Sequence, residues 1–303
     1  MSSAAAVAAS GAHDGISRVR PSDGLAPSAL ALPRPPRLGL VIRVGMGTTS
    51  VLPRRLETAF RLAAEAGYDG IEIMVTREPA TRDARAIGRL ADRFRMPVLS
   101  IHAPVLLLSQ LTWGLQPDDK LKRSAALARE LGATTVVVHP PYAWQRRAAQ
   151  RFVENVARTA EAYGVRIAVE NMFALPLGGR ERDAFAPSWN PGDFAVDALT
   201  LDFSHTAMGG VDPRTLVRDW GTRLQHVHLC DARGDRPGGR LVDEHLVPGR
   251  GAQPVAAVLR SLVQKNFAGD VIAEINTRQC GRDDVARLAE LVETLSFARR
   301  HLS

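Results

Sequence analysis

The feature that most constrains this chain is an alternation. From Leu38 onward, eight apolar runs of five to eight residues recur: LGLVIRV (38–44), GIEIM (70–74), PVLSIH (97–102), TTVVVHP (134–140), VRIAVEN (165–171), ALTLDFS (198–204), LQHVHLCD (224–231) and DVIAEIN (270–276). Between them lie longer amphipathic stretches at 56–67, 84–94, 121–132, 152–164, 254–264 and 284–302. Gly67, Gly132 and Gly164 each fall just before the next apolar run, where a helix C-cap needs a left-handed residue. Short buried strands alternating with helices build βαβ units and a parallel sheet. Eight units in roughly 265 residues are the size of a (β/α)8 barrel. A doubly wound open sheet is disfavoured, because Gly45-Met46-Gly47-Thr48-Thr49-Ser50 lacks the glycine spacing of a dinucleotide fingerprint. The segment 172–197, broken by Pro and Gly, reads as an elongated loop over the barrel mouth.

Residues 1–37 are rich in Ala, Ser, Pro and Arg without a sustained period, so they read as a disordered extension ahead of a barrel spanning 38–303. The net charge of +7 raises the question of nucleic acid. Only three of the 39 cationic residues are lysines, and pairs such as Arg54-Arg55 and Arg146-Arg147 stand alone, so the arginines read as a solvated surface. No apolar run approaches the ~18–20 residues of a membrane span. Two cysteines, Cys230 and Cys280, supply no disulfide framework, which points to a reducing cytoplasm.

Chemistry gathers at the ends of the runs. Six consecutive ones finish in a metal-ligand residue type: His102, His139, Glu170, Asp202, His228 and Glu274. His205 follows Asp202 by three residues, and Asp243 and His245 lie in the loop after the seventh run. In a (β/α)8 barrel the C-terminal strand ends converge on one face, where active sites form. A single histidine there is more often a hydrogen-bonded rim residue than a ligand. Six coincidences at one level are hard to reconcile with packing, because buried carboxylates without partners are costly. A divalent cation neutralises them and suits a mixed His and carboxylate set. His226, two residues before His228, lies on the same side and one layer deeper, as a supporting or core histidine. None of Lys120, Lys122 and Lys265 ends an apolar run, which excludes Schiff-base chemistry.

From Leu38 to the end, the ordered series GYDGIEIM, SIHAP, VVHPP, AVENM, LDFSH, HLCD, DEHLVPGRG and AEIN resembles the xylose-isomerase-like TIM barrels. That superfamily holds sugar-phosphate isomerases and epimerases as well as apurinic endonuclease IV. The resemblance implies, for the epimerase-like members, one divalent cation (Mn, Co, Mg or Zn) held by Glu170, Asp202, His228 and Glu274. Glu170 and Glu274 would then serve as proton acceptor and donor on opposite faces of a small sugar or sugar phosphate, through a metal-stabilised enediolate. The endonuclease branch implies up to three zinc ions on nine ligands, and His102, His139, His205, Asp243 and His245 complete that set.

Substrate contacts are expected from Glu72, Trp113, Arg233, Arg250 and Arg278, with a structural hydrogen bond or a surface position as the alternative for each. The nuclease alternative is disfavoured because no loop combines a basic cluster with wedge residues for a duplex. A homo-oligomer is compatible with either reading.

Overall fold

The amphipathic stretches become helices whose ends obey local chemistry. The computed structural model describes residues 41–104, 111–114, 116–177, 180–234 and 242–303, with the backbone alone for 174–177 and 180–183. Helices α1 (Leu56–Ala66), α3 (Pro117–Leu131) and α4 (Arg146–Tyr163) stop at Gly67, Gly132 and Gly164, with φ of 85°, 70° and 65°. Between α1 and α3, α2 (Ala84–Phe94) starts where the Asp83 carboxylate accepts from the Arg85 and Ala86 amides. Helix α3 begins four residues ahead of its apolar period, with Pro117 in the first turn and Asp118 and Asp119 at its positive end. Helices α5 (Phe203–Gly209), α6 (Pro213–Trp220), α7 (Val255–Gln264) and α8 (Asp284–Leu302) follow.

Eight parallel strands close into a barrel: β1 (Val44–Gly47), β2 (Gly70–Met74), β3 (Val98–His102), β4 (Thr135–Val138), β5 (Arg166–Glu170), β8 (Ala198–Asp202), β9 (Leu224–Leu229) and β10 (Asp270–Ala273), which returns to β1. The expected (β/α)8 fold is therefore observed. The first strand differs in position: it begins at Val44, at the end of the 38–44 run, and uses the glycines that follow. The segment 172–197 is also more ordered than a loop, since β6 (Ala174–Leu177) and β7 (Arg180–Asp183) form an antiparallel hairpin. The extension expected over residues 1–37 lies outside the described residues. No helix among the described residues is long and apolar enough to cross a membrane.

The late start of β1 has a packing reason. Ile272 lies two residues before Glu274 and Gly70 two before Glu72, so both face the barrel interior below the mouth. A Cβ on Gly45 would sit 2.6 Å from Ile272 Cδ1 and 2.8 Å from Leu99 Cδ1. One on Gly70 would sit 2.5 Å from Leu99 Cγ. The two glycines thus leave space that Leu99 and Ile272 fill, closing the lower barrel. Ile71 pairs with Val98 but Glu72 pairs with Ser100, so the register skips Leu99 in a bulge. That bulge lets Leu99 plug the floor while Ser100 turns toward Glu72. Outward-facing residues such as Ile71, Ile73, Ile101, Val136, Leu199 and Leu201 join the helices in one apolar core.

Candidate metal centre

Glu170, the last residue of β5, is the hub of the mouth. Its Oε1 lies 3.1 Å from His228 Nδ1 and 3.3 Å from His205 Nδ1, and its Oε2 lies 2.9 Å from His139 Nε2 and 3.3 Å from His102 Nε2. Glu274, just past β10, places Oε2 2.8 Å from the same His228 Nδ1. Asp202 caps α5 through Oδ1, 2.7 Å from the His205 amide, and turns Oδ2 to within 3.9 Å of His228 Nδ1. Asp243 reaches His245 Nε2 at 3.0 Å and His205 Nε2 at 3.8 Å. Five of the chain's eight histidines meet here.

Donor atoms of Glu170, Asp202, His228 and Glu274 all lie within 4.8 Å of one another. Three further groups share members with this set: His102, His139 and Glu170 on one side, Asp202, His205 and His245 on the other, and Glu72, His226 and His228 beneath.

The histidine tautomers test whether a cation fits. His102, His205 and His245 each direct Nδ1 at a backbone carbonyl, of Ala103 (3.0 Å), Asn171 (2.9 Å) and Glu274 (2.7 Å) respectively. A carbonyl only accepts, so Nδ1 carries a proton in all three and Nε2 is the nitrogen left to face a cation once its own proton is displaced. Ligating histidines use this arrangement to fix ring orientation and basicity. Lone pairs converging beside three carboxylates form a donor set suited to a divalent cation.

Electrostatics agree. Burial pushes the Asp202 carboxyl up, while Glu170 is held well below the usual carboxylate range because the charges of His228 and His139 outweigh its burial. Glu274 falls to about 2, since His228 overcomes the effect of burial. Burial opposes a proton on His205, yet Asp202, Glu170 and Asp243 push its pKa up to about 10. Without a cation, the carboxylates recruit protons onto neighbouring rings; a divalent ion supplies the same compensation at lower proton cost.

A cavity of about 190 Å3 opens over these groups, lined also by Thr49, Met74, Ile275 and Asn276. Arg278 is the one arginine among its described lining residues. The other expected substrate contacts lie elsewhere. Arg233 is exposed and pairs with Glu244, and Arg250 pairs with Glu290 and Glu293 of α8. Trp113 packs half-buried against the apolar core. Glu72 is only 1% exposed and sits beneath the cavity, because β2 continues two residues beyond it to Met74. Cys230 is fully buried, 3.8 Å from Asp202 Oδ2.

Two supports escaped the sequence reading, although each adjoins a ligand-type residue. Asn171 accepts from the Asp202 amide (2.8 Å) and donates to its carbonyl (3.2 Å), locking β5 to β8 at the mouth. Ser204 donates to Asp243 (2.6 Å) and accepts from the Glu244 amide (3.1 Å), which holds the 243–245 turn over α5.

Comparison with known proteins agrees with this architecture. Residues 60–301 match the xylose isomerase-like TIM barrel family. An uncharacterized protein of Mycobacterium leprae is 47% identical over 281 residues, covering 86% of this chain and 98% of that protein. Fructoselysine 3-epimerase of Escherichia coli O157:H7 is 25% identical over 262 residues, 78% of this chain and 91% of the enzyme. Among solved structures, the IolI protein with a binding zinc atom superposes with a TM-score of 0.65 at 19% identity, over 86% of this chain and 100% of that one. With a closed eight-stranded barrel and a family match over most of its length, the chain belongs to the xylose isomerase-like TIM barrel family.

Proposed function

We propose that the protein is a divalent-metal-dependent isomerase or epimerase of a small sugar or sugar phosphate. The observation that carries this reading is the convergence of Glu170, Asp202, His228 and Glu274 from four adjacent strands onto one point at the floor of an open cavity. Isomerising or epimerising beside a carbonyl means removing a weakly acidic C–H proton and returning one. Glu170 and Glu274 are both held ionised, so each can accept that proton at neutral pH. Glu170 is contacted by four ring nitrogens and its side chain is 1% exposed, whereas the Glu274 side chain is 11% exposed. This asymmetry suits a pair in which one carboxylate takes the proton and the other returns it.

A divalent cation bound by the four residues would supply electrostatic stabilisation of negative charge developing on the substrate oxygens. Arg278 and Asn276, on the rim, are placed to orient hydroxyl or phosphate groups. Similarity to a fructoselysine 3-epimerase supports a sugar substrate.

A second reading rests on the two flanking donor groups, which give the centre room for up to three cations. Such a cluster fits phosphodiester hydrolysis of abasic DNA by an endonuclease IV-like mechanism. A single arginine among the described lining residues is poor provision for a polyanion, so the sugar reading is preferred.

The discriminating experiment combines elemental analysis with two assays: deuterium wash-in on a panel of ketoses and their phosphates, and cleavage of an abasic-site duplex. Exchange of a carbon-bound proton, lost in Glu170→Gln and Glu274→Gln, is the expected result. Duplex cleavage with three zinc ions per chain and no exchange would overturn it.

A further inference from the structure

Below the donor cluster the barrel interior stays polar, and its centre is Glu72. The Glu72 carboxylate receives Ser100 Oγ–H on Oε2 at 2.6 Å and faces His226 Nε2 at 2.9 Å through the same oxygen. Its Oε1 lies 3.2 Å from His228 Nε2. All four side chains are fully buried, and the bulge at Leu99 is what aims Ser100 at this carboxylate.

His228 therefore stands between two sets of carboxylates. Its Nδ1 faces Glu170 and Glu274, and its Nε2 faces Glu72 alone among the described carboxylates. The ring is reversed relative to His102, His205 and His245, whose Nδ1 atoms point at backbone carbonyls. It is the one histidine of the central donor group, and a carboxylate takes the place of the carbonyl.

We infer that Glu72 is a positioning residue for the metal centre: it holds His228 as the tautomer protonated at Nε2, so that the Nδ1 lone pair faces the cation position, while Ser100 and His226 hold Glu72. The inference rests on the metal-dependent reading of the site. Ser100 and His226 hydrogen-bond to Glu72, and His228 Nε2 faces its Oε1 at 3.2 Å in an ion-pair contact without full hydrogen-bond geometry; a neutral Gln side chain would lack the charge that draws the Nε2 proton to this side. Burying a carboxylate this deeply costs more than an apolar residue of similar size would, and the cost is understandable where the charge also draws on a cation one ring away. Glu72 has no route to a substrate, being sealed beneath the ring it orients.

The test measures Zn2+ affinity of the full chain by competition with a chromophoric chelator, and thermal unfolding in excess EDTA, for the parent, Glu72→Gln, Glu72→Asp and Ser100→Ala. Glu72→Gln is expected to bind Zn2+ about 10–100-fold more weakly. Ser100→Ala should lose less and Glu72→Asp should recover part of the loss, while Glu72→Gln should also lower the metal-free unfolding temperature, because its amide cannot satisfy every buried partner of the carboxylate. A Glu72→Gln affinity within twofold of the parent overturns the inference, as does a large drop in metal-free stability with affinity unchanged, which marks a purely structural role.

Should Glu72→Gln not fold, imidazole 15N shifts of the Zn2+-loaded parent decide instead. His228 must be protonated at Nε2 and metallated at Nδ1, and the opposite tautomer refutes the proposal. A parent that binds no divalent cation refutes the metal-dependent function itself, and this inference with it. Binding that is indifferent to Glu72 refutes only the inference.

Discussion

Asp231 offers the sharpest test of how the site's loop is held. It lies two residues beyond β9, is 1% exposed, and spends its carboxylate entirely on backbone amides. Oδ1 accepts from Ala232 (2.8 Å) and Gln253 (3.0 Å), and Oδ2 accepts from Gly249 (2.8 Å). Its own backbone pairs with Leu246 in both directions. One side chain thus ties both ends of the turn that follows Asp243 and His245 to the barrel. Asp231→Asn keeps Oδ1 but points an NH2 at the Gly249 N–H, losing one charge-assisted hydrogen bond and leaving a buried donor facing a donor. Those losses amount to about 2–4 kcal/mol. For a barrel of this size they correspond to a fall of roughly 4–12 °C in unfolding temperature.

The same geometry dictates a non-additive pair. A Cβ at Gly251 would collide with Asp231 Oδ1, so Gly251→Ala alone is destabilising. Asp231→Ala removes the side-chain part of the obstruction, leaving the Ala232 backbone nitrogen 2.6 Å from the new Cβ. In that background Gly251→Ala should cost less by about 0.5–3 kcal/mol, read by far-UV circular dichroism during thermal unfolding in EDTA for all four members of the cycle. An Asp231→Asn unfolding temperature within 1 °C of the parent, or strictly additive single changes, would refute the reasoning.

Two other outcomes follow from features of the barrel. Gly70→Ala forces a methyl to within 2.8 Å of the Pro97 carbonyl as well as into Leu99, so about 1–3 kcal/mol of stability should be lost. An unchanged unfolding temperature would mean that the floor has room for a methyl group at Gly70. Metal affinity should rise with pH: in the metal-free protein His205 keeps its proton up to about pH 10, and a cation binding there must displace it. Each proton released steepens the apparent affinity by up to about tenfold per pH unit, and calorimetry in buffers of different ionisation enthalpy counts the protons. A pH-independent affinity between 6 and 9 would exclude His205 as a ligand.

The convergence of donors was legible because it needs only the strand period and the residue at each strand end. His102, Glu170 and Asp202 are terminal strand residues, and His139, His228 and Glu274 fall within one residue of an end. What escaped depends on partners across space. Nothing local to Arg233 or Arg250 reveals that Glu244, Glu290 and Glu293 wait within reach. Glu72 looked like a rim residue because the apolar run GIEIM does not say how many of its residues rise above the donor layer. The start of the first strand is not legible in the sequence because its defining residues are glycines, whose absent side chains carry no hydropathy signal. The interior space they leave becomes visible only when Leu99 and Ile272 arrive from other strands.

That floor has a consequence for traffic. With Leu99 and Ile272 seated against Gly45 and Gly70, the barrel is a blind tube rather than a channel. Were the protein to act as proposed, water expelled by an arriving substrate would leave through the opening the substrate is entering, and product would depart before the next molecule could dock. Turnover in such a vessel is governed by a single doorway. Loops at that rim can therefore set the rate of exchange without touching the chemistry below.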